Sequence, residues 1–211
     1  DDYAFLIYGL LEIYQASFES KYLKTALSLN KILLKHFWDV ENGGFYFIPD
    51  DGEEILIRKK EIYDAAIPSG NSIQMLNLLK ISQITEDEEL KQKIKGIEKA
   101  FSETILRSPT GFTQFMVAFD YKVGPSHEIV IVGNPDEEKT KAMIDAVKNN
   151  YIPNKTIVLR PLDETSEILE LIPSLKFKTS EDNKSTAYIC SEGTCKAPTN
   201  DSKTLLKLLN A

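Results

Sequence analysis

Residues 63–72, YDAAIPSGNS, place an acid, a proline, a glycine and an asparagine just ahead of a helical pattern of apolar residues. Pro68 ends an extended link, and Ser69 or Asn71 caps the helix that follows. Asp64 has no role in this explanation, because it stands five residues before Ser69 and is too early to cap the same helix. The stretch therefore predicts a helix start and, around Asp64, the rim of a cavity.

Helical patterns lie on both sides of this stretch. Residues 3–18 are apolar on nearly every side, which predicts an inner helix, whereas residues 22–38 carry one apolar stripe and predict an outer helix that forms a hairpin with the first. Three further stripes predict helices over residues 73–84, 90–105 and 112–119. Five helices with short links predict a mainly helical, layered assembly.

Two segments depart from the helical pattern. Residues 44–58 hold short β-type runs around Pro-Asp-Asp-Gly and predict a β-hairpin. Beyond Gly124, strands at 128–132, 156–159 and 187–190 alternate with helices at 136–149, 164–171 and 202–209. This alternation predicts an α/β unit with right-handed crossovers. The expected domains are therefore 1–123, helical, and 124–211, α/β.

Composition excludes several function classes. The chain has 25 Lys and Arg against 32 Asp and Glu, a formal net charge of -7, which opposes binding to nucleic acid or to an anionic membrane. No apolar run approaches the roughly 20 residues that a membrane span needs. We therefore expect a soluble protein, and a cytoplasmic one because two cysteines are too few for the disulfide framework of a small secreted domain. The opening in helical pattern without Met predicts a fragment of a longer protein.

Carboxylates are the candidate catalytic groups. Asp2 and Asp64 serve as general acid and base if they face one cavity, since paired carboxylates perform glycoside chemistry. The alternative for Asp2 is a favourable charge at the start of the first helix. Tyr63 and Asn71 could bind sugar hydroxyls at the same cavity, and Glu61 is a further acidic candidate unless it is only solvated.

The two cysteines, Cys190 and Cys195, stand in YICSEGTCK (188–196). Four residues between them could close a hairpin and bring the thiols close enough to bridge or to share a metal. A zinc site usually needs four ligands, and neither histidine is near in sequence, so we predict a structural turn, no metal and no cofactor. The join IVIVGNPD (129–136) has one glycine where a dinucleotide-binding turn needs three, which argues against nucleotide binding.

Several stretches resemble one family in the right order along nearly the whole chain: DDYAF, FWDVENGGFYF, KEIYDAAIPSGNS, EIVIVGNPD and AYICSEGTCKAPTND. They look like the C-terminal part of the YyaL-type proteins, which include the spermatogenesis-associated thioredoxin-domain proteins. The resemblance implies the later hairpins of an (α/α) toroid similar to six-hairpin glycosidases and N-acylglucosamine epimerases, followed by the α/β segment. It also implies a thioredoxin-like domain outside this chain as a partner.

By this resemblance Asp2, Tyr3, Asp64, Ser69 and Asn71 match motif positions of the family. The similar epimerases use histidines as bases, and His36 lies in no comparable motif, so epimerase chemistry is not carried over.

Three hypotheses follow. The first is saccharide binding or sugar-modifying chemistry, with Asp64 and Asp2 as acid and base, and with Tyr3, Tyr63 and Asn71, beside Ser69, at the substrate. The second is a non-catalytic scaffold or partner-binding platform for the thioredoxin-like domain. The third gives Cys190 and Cys195 a redox role. Apolar surface left uncovered on a truncated toroid also predicts self-association.

Overall fold

A computed structural model describes residues 1–53, 56–182, 184–191 and 193–209. The chain divides into two compact units, a helical unit of residues 1–82 and 87–122 and an α/β unit of residues 83–86 and 123–211. Within the described residues, no helix has both the length and the apolar character needed to cross a bilayer.

The five predicted helices of the first part of the chain are present. They are α1 (Asp2–Ser17), α2 (Ser20–His36), α3 (Gly70–Thr85), α4 (Glu88–Arg107) and α5 (Thr113–Val123). Helix α1 ends where Phe18 takes a left-handed conformation, with φ at 59° and its N–H bonded to the carbonyl of Tyr14. The ring of Tyr3 lies 5.6 Å from that of Phe37, so the start of α1 lies beside the end of α2. The predicted antiparallel hairpin is confirmed.

The inner position predicted for α1 is wrong. Leu6 is 55% exposed and Ile13 is 46% exposed, so one face of α1 is open to solvent. The helix that is buried on all sides is α3, whose residues from 71 to 82 are all buried. Polar residues among the buried positions of α3 obscure this in a hydrophobic pattern, and they form hydrogen bonds inside the unit. The Gln74 amide donates to Asn30 Oδ1 at 2.7 Å, and the Asn77 amide donates to the Ala4 carbonyl at 2.8 Å.

The predicted β-hairpin at 44–58 is not a regular strand pair in the described residues; Glu54 and Ile55, within that segment, lie outside them. Phe45 makes a single bridge with Trp38, and Phe47 donates its N–H to the Lys59 carbonyl at 2.8 Å. The segment is instead an irregular strap that crosses the end of α2. It carries three aromatic side chains at positions 45–47.

The α/β unit is built on a four-stranded sheet in the order β2-β1-β3-β4. Its elements are β1 (His127–Val132), α6 (Glu138–Lys148), β2 (Lys155–Arg160), α7 (Ile168–Leu171), β3 (Thr186–Ser191), β4 (Thr194–Cys195) and α8 (Ser202–Leu209). Strands β1 and β2 are parallel, as a crossover through α6 requires, but β3 runs antiparallel to β1. The predicted succession of crossovers therefore stops after β2. The chain returns through the short α7 and a 3₁₀ turn at Pro173–Phe177, too little helix for another full crossover.

The fold is thus mainly helical with a small mixed α/β part, as predicted. The toroid remains a prediction from the resemblance.

Candidate functional site

The helical unit has an open depression at the start of α1 and α3 and the end of α2. It combines carboxylates with aromatic rings. Its lining residues are Asp1, Tyr3, Ala4, Leu33, Phe37, Phe45, Tyr46, Phe47, Glu61, Gly70, Asn71 and Gln74. The predicted site residues among them are Tyr3, Asn71 and the further acidic candidate Glu61.

Asn71 holds two walls of the depression together. Its side-chain oxygen accepts the N–H of Phe45 at 2.7 Å, and its side-chain nitrogen donates to the carbonyls of Phe45 (2.9 Å) and Glu61 (2.7 Å). The amide group is therefore occupied on both its donor and its acceptor side. These bonds fix the position of the strap and of Glu61. The amide therefore bonds to the backbone, whereas the sequence predicted that it would bind sugar hydroxyls.

Tyr46 is fixed from two sides. Its hydroxyl donates to Asp39 Oδ2 at 2.9 Å, and the guanidinium of Arg58 lies 4.2 Å from its ring centre. Burial opposes ionisation of Asp39, but bonds from Lys60 (2.7 Å), from the backbone of Asn42 and from Tyr46 outweigh it and lower the pKa of this carboxyl. The pKa of the Tyr46 hydroxyl is raised, mainly by its bond to the ionised Asp39 and to a smaller extent by burial. The depression therefore has a ring that is held in place before any ligand arrives.

Asp64 lies outside the lining of the depression and is a capping residue. Its side chain is bonded to three backbone N–H groups: Oδ1 accepts from Ser69 at 2.9 Å, and Oδ2 accepts from Gln114 at 2.9 Å and from Phe115 at 3.1 Å. The last two are in the first turn of α5. Asp64 thus caps the start of α5, a helix about 50 residues further along the chain, and no local pattern indicated this role.

The other predicted residues also take structural positions. Ser69 is buried, and its hydroxyl donates to the Ile62 carbonyl at 3.1 Å and meets Ser72 Oγ at 3.0 Å, which organises the start of α3. Tyr63 is 65% exposed and packs its ring edge-on against Phe112 at 6.1 Å, outside the lining. Asp2 is exposed in the first turn of α1 and is likewise absent from the lining.

The carboxylates that do line the depression are Asp1 and Glu61. Asp1 Oδ1 accepts the N–H of Gly70 at 2.9 Å, and so it joins the starts of α1 and α3, where both helix dipoles favour a negative charge. The sequence alone singled out Glu61 but preferred Asp2 to Asp1. Neighbouring helix positions differ by about 100° in direction, and only the structure shows which of the two faces the depression.

Within the described residues, one further group brings possible metal ligands together. His36 Nδ1 lies 2.8 Å from Asp50 Oδ1 and 3.3 Å from Asp51 Oδ2. The hydrogen bond from His36 lowers the pKa of Asp50, so hydrogen bonding accounts for the arrangement. Sequence analysis missed this contact because the residues are 14 positions apart.

In the α/β unit, Cys190 and Cys195 form a disulfide between β3 and β4. Of the two alternatives left open by the sequence, a bridge or a shared metal, the structure has the bridge. Glu192, which stands between them in the sequence, lies outside the described residues.

Fold and site together define a mainly helical protein with a mixed α/β unit and a depression that combines acids and aromatic rings. No family model matches the chain. Over its whole length the chain is similar to spermatogenesis-associated protein 20, with 35% identity over 211 residues to the Rattus norvegicus protein and 34% to that of Homo sapiens. It is also 31% identical over 212 residues to an uncharacterized protein of Caenorhabditis elegans.

The chain spans only 27% of the length of the rat and human proteins and 28% of the nematode one. The names of the rat and human proteins agree with the resemblance that the sequence motifs predicted. Activity, substrate and the thioredoxin-like partner remain proposals.

Proposed function

We propose that the helical unit binds a saccharide in the depression at the starts of α1 and α3. The observation that carries the proposal is that Asp1 and Glu61 share one open depression with the rings of Tyr3 and Tyr46. Carboxylates accept bonds from sugar hydroxyls, while aromatic rings present an apolar face and a polar edge, and this combination suits a polyol with apolar C–H faces.

The proposal assigns the acidic roles to residues other than those that the sequence predicted. Asp64 is bonded to three backbone N–H groups and supports the fold, whereas Glu61 is exposed and lines the depression. For glycoside or other sugar-modifying chemistry, Asp1 and Glu61 therefore replace Asp2 and Asp64 as the acid and base pair. The resemblance to carbohydrate-active toroids supports the same ligand class.

The test is a saccharide titration followed by saturation-transfer NMR, with glucose, N-acetylglucosamine, maltose and cellobiose as probes. We expect Glu61→Gln to weaken binding of the responding sugar about tenfold, since one charged acceptor becomes a neutral amide. Glu103→Gln, an exposed change on α4 outside the depression, is the matched control. Absence of binding by every probe, or equal binding by Glu61→Gln and wild type, would refute the proposal.

A second candidate function, a platform for another domain, is favoured by the open face of α1. Leu6 and Ile13 are seven residues apart, so they lie on the same side of the helix, and both are about half exposed. The thioredoxin-like domain implied by the resemblance is the proposed occupant of this apolar face. Addition of that domain from a relative should shift the α1 amide signals in NMR, and Leu6→Gln with Ile13→Gln should abolish the shifts.

Leu106→Gln is the control for this experiment, because Leu106 is an exposed leucine at the end of α4. Equal shifts in the control and in the α1 double variant would remove the α1 face as the docking surface.

A further inference from the structure

The Cys190–Cys195 disulfide lies at the edge of the sheet in the α/β unit. The two cysteines are direct partners across the β3–β4 ladder, and β4 is the outermost strand. Cys195 is exposed, whereas Cys190 is only 6% exposed. An incoming thiolate therefore reaches the sulfur of Cys195 first and displaces Cys190 as the leaving group.

A lysine stands beside the inner sulfur. Lys178 Nζ lies 3.8 Å from Cys190 Sγ and 5.7 Å from the ring centre of Tyr188. The hydroxyl of Tyr188 donates to the Thr179 carbonyl at 2.7 Å, which holds the segment carrying Lys178 against β3. Because residues 188 and 190 point to the same face of the strand, the ammonium group is kept on the side of the sheet where the Cys190 thiolate would form.

A carboxyl group lies on the same face. Glu128 is the direct partner of Cys190 across the antiparallel β1–β3 ladder, which places their Cβ atoms about 4.5–5.5 Å apart. Burial raises the pKa of Glu128 to about 7; the positive charge of Lys178 opposes this shift and the negative charge of Glu86 adds to it. A group of this kind can take up and release a proton near neutral pH.

We propose that Cys190–Cys195 is a redox-active disulfide that accepts two electrons from a dithiol, with Lys178 stabilising the Cys190 thiolate and Glu128 exchanging its proton. Nothing in the saccharide proposal depends on this site, which lies in the other unit. The donor is identified only by its chemistry, two thiols able to close on each other.

The exchange has two steps. A donor thiolate attacks Cys195 Sγ, the bond between Cys195 Sγ and the donor sulfur forms, the Cys190–Cys195 bond breaks, and the electron pair remains on Cys190 Sγ. The second donor thiolate then attacks the first donor sulfur, closes the donor disulfide and releases Cys195. The donor's two thiol protons end on the two cysteines, and Glu128 delivers the one that Cys190 receives.

The first test measures the rate at which dithiothreitol reduces the full chain, with maleimide trapping and mass spectrometry. We expect Lys178→Met to slow reduction about threefold to tenfold, because the leaving thiolate loses its positive neighbour. Lys176→Met, an exposed lysine in the 3₁₀ turn two residues earlier, is the matched control and should react like wild type. Equal rates for the two variants, or reduction only in urea that unfolds the chain, would overturn the proposal.

The second test separates proton transfer from packing. Wild type should show a step near pH 7 in the reduction rate, in addition to the titration of dithiothreitol itself, and Glu128→Gln should lack it. Lys178 and Glu86 are the charged groups that act on Glu128, and both are retained in this variant. Glu170→Gln, an exposed change on α7, should keep the step. A pH profile unchanged by Glu128→Gln would remove Glu128 from the mechanism.

A third measurement does not require the disulfide. In Cys195→Ser the thiolate absorbance of Cys190 at about 240 nm should titrate below the usual thiol pKa of about 8.5, and Lys178→Met added to this variant should raise that pKa. Titration at or above the usual value in Cys195→Ser would show that the leaving group is not stabilised.

Discussion

Replacement of Asp64 by Ala should destabilise the helical unit rather than disable a catalytic group. The side chain is 8% exposed and is bonded to three backbone N–H groups, of Ser69, Gln114 and Phe115. Loss of one cap typically costs about 0.5–2 kcal/mol, and an orphaned buried donor costs about 1–3 kcal/mol. Because these costs overlap, we expect a loss of about 2–4 kcal/mol in the free energy of unfolding.

Tryptophan fluorescence reports the effect of Asp64→Ala on the helical unit. Trp38 is the single tryptophan and belongs to the helical unit, so its fluorescence during urea unfolding follows that unit. Asp64→Asn should lose less than Asp64→Ala, since the amide oxygen still accepts a bond while its NH₂ group faces the remaining donors. Asp2→Ala, in an exposed position, should change the free energy of unfolding by less than about 1 kcal/mol.

An Asp64→Ala variant with the urea midpoint of wild type would refute this reasoning, because three backbone N–H groups, two of them in buried bonds, cannot lose a charged acceptor without cost unless the start of α5 rearranges. Unchanged stability combined with lost saccharide binding would return Asp64 to the catalytic role that the sequence predicted.

Three further predictions concern other contacts. Asn71→Ala should lower the urea midpoint of the Trp38 signal by the equivalent of about 2–4 kcal/mol, since it leaves a backbone N–H and two carbonyls without their partner. Gly43→Ala should destabilise the same transition by more than about 2 kcal/mol: Gly43 has φ at 75°, and an added Cβ would stand 2.3 Å from the Gly96 carbonyl oxygen. Glu128 has a folded pKa of about 7 against an ordinary 4.5, so its contribution to stability is full below about pH 4.5 and is lost as pH rises through about 7. The free energy of unfolding of the α/β unit should be about 1–3 kcal/mol lower at about pH 8 than at about pH 5, a range that includes a discount for the partial exposure of Glu128. Pulsed hydrogen exchange of β1 and β3 during urea unfolding measures this difference, and Glu128→Gln should remove it.

Regular elements were predictable because their signals are local. The helical stripe of α4 and the β-branched run of β1 depend on neighbours a few residues away, and both elements appear close to their predicted positions. The strap at 44–58 was not predictable as irregular: its turn residues favour a hairpin, but Asn71 takes up the N–H and the carbonyl of Phe45. A side chain 26 positions away thus replaces the ladder that a hairpin would have formed.

The roles of the residues at the candidate site were also not predictable from local sequence. Composition and motifs predicted a site around residues 61–71, yet they could not assign separate roles to the residues within it. Asp64 and Asn71 bond to the backbone, while Glu61 and Asp1, which the sequence analysis passed over, line the depression. Acid, amide and aromatic side chains serve equally well as caps or as ligands, so their partners decide which role each one has.

By itself, the sequence determined which segments are helices and strands, where the character of the chain changes, and that two cysteines stand close enough to meet, because these follow from periodicity and short separations. Only the tertiary structure decided that α3 rather than α1 is the buried helix, that β3 reverses direction, and that Glu128, Cys190 and Lys178 share one region of the sheet. These outcomes depend on bonds between residues 12 to more than 60 positions apart, whose partners no local pattern specifies.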